Sequence, residues 1–139
     1  EDLVTALYDQ SGTMLWENKL TLKGAFADVI KSGDKWLVFA NYSEYLLDGL
    51  IIKAETNRKQ ADHTNLLLNY ISNKGTSDQI TKYPNDKPYF VTSILKLDSE
   101  TFNMIGLKSS WLPNSELAKS KKPFFTMITN QTGFMWYAN

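Results

Sequence analysis

A chain of 139 residues and 15.9 kDa suits a single hydrophobic core, so residues 1–139 read as one domain. Its 42% apolar and 13% aromatic content excludes a disordered chain, and fifteen Lys and Arg against fifteen Asp and Glu leave no net field to draw a polyanion, so no nucleic-acid partner is expected. With no Cys there are no disulfides, thiolate metal sites or thiol nucleophiles, and Arg58 as the only Arg disfavours phosphate handling.

Leu3 to Tyr8 reads as a strand, and Asp9-Gln10-Ser11-Gly12 as the turn that follows it. From Thr13 to Leu22 the even positions Met14, Trp16, Leu20 and Leu22 are apolar while Glu17, Lys19 and Thr21 are polar, the period of a strand, with Leu15 and Asn18 as exceptions. Gly24 is expected to break this run before Ala25 to Ile30 resumes it. Lys31-Ser32-Gly33-Asp34 turns the chain into Trp36 to Ala40. Asp48-Gly49, between Tyr45-Leu46-Leu47 and Leu50-Ile51-Ile52, is a hairpin signal.

Asn57 to Asp62 is polar loop, and Leu66 to Ile71 fits a buried strand or a helical turn equally. Asn73 to Pro88 carries Gly75, Pro84 and Pro88 and reads as the longest loop, the natural place for a flap, with room for a helical turn from Asp78 to Tyr83. Tyr89 to Leu97 and Thr101 to Leu107 form a meander, Ser115 to Lys119 a short helix after Pro113, and Phe124 to Thr129 with Phe134 to Ala138 a closing hairpin. Turn signals about every ten residues predict a mostly β fold, an antiparallel barrel or sandwich of about eight strands with a short helix.

Chemistry-bearing residues are sparse. His63 beside Asp62 lacks both a nucleophile and a ligand set, so a solvated loop histidine is the expected reading and no metal or cofactor is expected. The carboxylates Asp28, Asp34, Glu44, Asp48, Asp98 and Glu100 sit at turns, where they cap backbone N–H groups. Asn41-Tyr42-Ser43 and Asn130-Gln131-Thr132 match the glycosylation sequon, a pattern frequent by chance in an Asn-rich chain. No catalytic constellation can be assembled, and the chain is expected not to be an enzyme.

Met14, Trp16, Trp36, Phe39, Ile52, Leu68, Tyr70, Met104 and Met127 are interior candidates that would serve either as a packed core or as a pocket for an amphipathic molecule. In the closing hairpin, Phe124, Phe125, Phe134, Trp136 and Tyr137 leave neither face polar, which fits a sandwich interior or a partner interface.

Leu15-Trp16-Glu17-Asn18-Lys19-Leu20, Ile94 to Glu100, and the ending Phe125 to Ile128 with Phe134 to Asn139 resemble the ToxS/VtrC-type proteins, periplasmic partners of membrane-anchored transcriptional regulators. The resemblance implies a lipocalin-like β-barrel that pairs with the periplasmic domain of its regulator, bile salts as ligands in some members, and an N-terminal transmembrane anchor beyond these residues. The expected function is therefore a non-enzymatic periplasmic or extracellular binding domain. Two alternatives stand beside it: a self-assembling pilus, phage or surface module, and a PAS-like extracytoplasmic sensor.

Overall fold

The structure, a computed structural model, describes the backbone of residues 2–54, 65–83, 89–97, 101–108, 122–129 and 133–138, and side chains through 2–54, 65–83, 91–97 and 102–105. Ten strands make two antiparallel sheets, with no helix among the described residues. The larger contains β1 (Asp2–Tyr8), β2 (Met14–Ser32), β3 (Lys35–Leu47), β4 (Leu50–Lys53), β5 (Asn65–Ile71) and β6 (Ser77–Tyr83), ordered β1-β2-β3-β5-β6 with β4 paired to β3. The smaller is the meander β10-β9-β8-β7, from β7 (Tyr89–Lys96), β8 (Thr101–Lys108), β9 (Lys122–Thr129) and β10 (Gly133–Ala138).

The expected antiparallel β architecture is therefore present, and among the described residues neither sheet closes on itself. The short helix from Ser115 to Lys119 and the loop histidine His63 lie outside the described residues.

Several elements differ from the sequence reading, each for a local reason. Gly24 does not end a strand. It lies at a β-bulge in an unbroken 19-residue β2, where a Cβ would run into the Asn41 carbonyl oxygen of β3. The interval from Asp78 to Tyr83 is a strand rather than a loop or helical turn, because it pairs along β5 from Leu66 to Ile71. Asp48 and Gly49, at φ of 50° and 78°, give the left-handed pair of a two-residue hairpin turn, as their sequence predicts.

β3 and β5 are central, and their side chains are buried on both faces, so they read as unbroken apolar runs instead of alternating ones. On one face Leu37, Phe39, Leu66, Leu68 and Tyr83 meet Val91, Ile94, Phe102 and Met104 of the small sheet. The Phe39 and Phe102 rings cross edge to face at 5.6 Å and 66°, an arrangement that adds about 0.5–1.5 kcal/mol beyond area burial. On the other face Leu20, Leu22, Ala40, Tyr42, Tyr45, Ala54 and Leu67 form a second core. This second core is covered by the long β2 itself: residues 14–21 pair only with β1, residues 22–32 only with β3, and the β1–β2 hairpin reaches over the β5–β6 turn.

Polar side chains clamp the two sheets together. Asn41, fully buried, accepts from the Val91 N–H at 2.8 Å and donates to the Val91 carbonyl at 2.7 Å, standing in for a neighbouring strand. Asp28 Oδ2 accepts from the Ile94 N–H at 2.8 Å and from Ser93 Oγ at 3.2 Å, and Lys96 donates to Ser32 Oγ at 3.0 Å. Asn41 and Asp28 thus take up backbone groups along the edge of β7, an edge that would otherwise invite foreign pairing.

Candidate functional site

The predicted interior residues do not form one pocket. Phe39, Leu68 and Met104 are fully buried together in the first core, and Tyr70 packs against that cluster. Trp16 and Ile52 lie on the opposite side of the large sheet. Trp36 stands at the start of β3 with the Lys31 ammonium 5.4 Å from its ring centre, a cation–π contact between cross-strand partners. Met127, and the interface residues Phe124, Phe125, Phe134, Trp136 and Tyr137, occupy β9 and β10, but their side chains lie outside the described residues. Met14 is half exposed rather than interior.

Several titratable groups among the described residues are engaged in local contacts. Glu44 pairs with Lys23 at 3.0 Å on the sheet surface, Asp28 is occupied by β7, and Asp9 holds its own turn through Ser11 and Thr13. The Ser11 hydroxyl and then the Thr13 amide keep the Asp9 carboxyl below its usual range. Among the described residues no three His, Asp or Glu side chains converge as a metal site would require. The sequon at Asn41 is a chance pattern, because both polar atoms of that side chain are consumed by Val91 in the interior.

A surface the sequence reading did not single out lies at the β3–β4 hairpin. Leu46 opposes Ile51 and Leu47 opposes Leu50 across a two-residue turn. All four are exposed, Leu50 by 69% and Ile51 by 64%. Successive strand residues point to opposite faces, so each aliphatic pair places one side chain on either face of the hairpin, and at the tip both faces are exposed. Beyond the tip, β4 extends only four residues, and β3 is its only strand partner among the described residues.

Beside the tip runs a shallow groove of about 220 Å³, lined by Thr21, Leu22, Lys23, Glu44, Tyr45, Leu46 and Ile51. Its floor is apolar and its rim carries the Lys23–Glu44 pair, with Lys53 across the ladder from Glu44. Burial raises the Tyr45 phenol above its ordinary value, so the groove presents a neutral hydroxyl and not a phenolate. The arrangement can bind an apolar group flanked by charge. No family model matches the chain, and neither a curated protein nor a solved structure is detectably similar to it.

Proposed function

We propose that the protein is a non-enzymatic binding domain of the periplasm that pairs with the periplasmic domain of a membrane-anchored transcriptional regulator, with the β3–β4 hairpin as a contact. The observation that carries this reading is the aliphatic tip. Leu46, Leu47, Leu50 and Ile51 together leave about two side chains' worth of aliphatic surface in water, so covering it is worth about 3–6 kcal/mol. That amounts to a hot spot within a micromolar interface, for which the total is about 8 kcal/mol. The edge of β4 away from β3, without a strand partner among the described residues, supplies backbone donors and acceptors beside it, and a lipocalin-like barrel would arise if the open sheet were completed by strands of the partner.

Size separates a protein partner from a small amphiphile. A groove of about 220 Å³ is below the roughly 300–1,000 Å³ usual for ligand pockets, and it fits one inserted side chain better than a whole bile salt. A bile salt or similar amphipathic molecule remains a second ligand class under this proposal, held across the hairpin tip and the groove.

Sedimentation of the protein mixed with the regulator's periplasmic domain tests the pairing. The expected result is a one-to-one complex, weakened by Ile51→Asp. Concentration-dependent self-association without the regulator would favour a self-assembling module, and free migration of both chains would reject the pairing.

A further inference from the structure

We propose that the β1–β2 hairpin is a hinged flap over the second core, pivoting at the Lys23–Gly24 bulge and latched through Asn18. Three independent features of the chain support it.

The first is connectivity. Among the described residues, 14–21 of β2 pair with β1 alone and the ladder to β3 begins at Leu22, so the strand pairing of the hairpin up to Thr21 is internal to it. Swinging the hairpin outward about the bulge leaves the β1–β2 ladder whole and parts β2 from β3 only at Leu22–Tyr45 and Lys23–Glu44. The bulge just past Leu22, where Ser43 is the extra residue in β3, supplies a place for the bend, and Gly24 there lies against the Asn41 carbonyl oxygen.

The second is the latch. Asn18 Nδ2 donates to the Gly75 carbonyl at 2.9 Å and to Ser77 Oγ at 3.1 Å, and Asn69 Nδ2 donates to Asn18 Oδ1 at 3.3 Å. Trp16 packs closely against Gly75: a Cβ on that glycine would be 2.8 Å from both Cβ and Cγ of the tryptophan. Apolar packing adds to this hold, Leu3 and Leu20 lying with Leu67, Ala40 and Tyr42 in the second core.

The third is the imbalance within this junction. The Trp16 indole N–H and the Asn69 side-chain oxygen are buried there without a hydrogen-bond partner, although Asn69 is only 1% exposed. A closed flap therefore bears the desolvation of two polar atoms, and an open one returns both to water. Closure is favoured by the apolar contacts and opposed by the orphaned atoms, the balance expected of an element that opens well below the threshold for global unfolding. Opening bares Leu67, Ala40 and Tyr42, each at most 2% exposed when closed.

Hydrogen exchange on the isolated protein, read by mass spectrometry, tests the flap. Amides of residues 3–8 and 14–20 are expected to exchange as one block at least about tenfold faster than those of residues 37–41 and 66–71. The chain has no native Cys, so Asn18→Cys with Ser77→Cys introduces a single reversible staple across the latch. Oxidation should slow the block toward the rate of the central strands, and reduction of the same sample should restore it. Asn18→Ala, which needs no staple geometry, should speed the block while leaving residues 37–41 unchanged. Exchange of the hairpin at the rate of the central strands, or a block that responds to neither the staple nor Asn18→Ala, would overturn the proposal.

Discussion

Asn41→Ala is the sharpest probe of how the two sheets are held together. The side chain is fully buried, and its two hydrogen bonds, at 2.7 and 2.8 Å, satisfy both backbone groups of Val91, itself only 2% exposed. Truncation removes two bonds contributing about 0.5–1.5 kcal/mol each and strands a buried N–H and a buried carbonyl, for a loss of about 3–4 kcal/mol after modest relaxation of β7. In urea denaturation, with a slope of about 2 kcal/mol per molar, the midpoint should fall by about 1.5–2 M. Asn41→Asp adds a pH signature. Its carboxylate can accept from the Val91 N–H but repels the Val91 carbonyl, so the protonated acid, which can donate, is favoured in the fold. That raises its folded-state pKa, so the variant should be closest to wild type below about pH 4 and lose stability as pH rises through the raised value. A loss for Asn41→Ala below about 1 kcal/mol would refute the reasoning, since it is what a surface substitution costs.

Further substitutions test other parts of the structure. Gly75→Ala meets Trp16 at 2.8 Å and places a Cβ at φ of +86°, so a loss of about 2–4 kcal/mol in thermal or urea unfolding is expected. Phe102→Ala, which removes the ring crossing Phe39, should cost about 3–5 kcal/mol in the same measurement. Burial, helped by the neighbouring Tyr70, pushes the Tyr83 phenol far above its ordinary value. The stability this raised value confers is complete below about pH 10 and lost as pH rises through the folded-state value, so Tyr83→Phe should flatten the alkaline limb of a stability profile.

The turns were the most legible part of the sequence. Asp9 to Gly12, Gly33 and Asp48-Gly49 all turn the chain where their residues say, because a positive φ or an Asx hydrogen bond is a local property. Strand identity between Ser77 and Tyr83 was not legible, since Ser-Asp-Gln-Ile-Thr-Lys-Tyr carries no strong pattern and becomes a strand through its pairing with β5. Polar residues misled for a related reason. Asp28 looked like a turn cap and Asn18 like a break in alternation, yet each faces inward and is satisfied by a segment more than 50 residues away. An Asn inside the apolar run Val38-Phe39-Ala40-Asn41-Tyr42 was the one available signal for the sheet clamp, since a polar side chain there must find a buried partner. The aliphatic tip is not legible because Leu46-Leu47 and Leu50-Ile51 have the composition of core, and only the burial of the folded hairpin shows both of its faces exposed there.

Docking of a regulator's periplasmic domain on the hairpin tip is what the proposed function requires. Calorimetric titration of that domain into the wild-type protein and into Leu50→Asp with Ile51→Asp tests it most directly, with unfolding curves run on both. Saturable one-to-one binding at micromolar affinity or tighter is predicted, falling at least about hundredfold, or about 2.7 kcal/mol, in the double variant while its stability changes little. No heat of binding at about 100 μM, or equal affinity for both proteins, would contradict it.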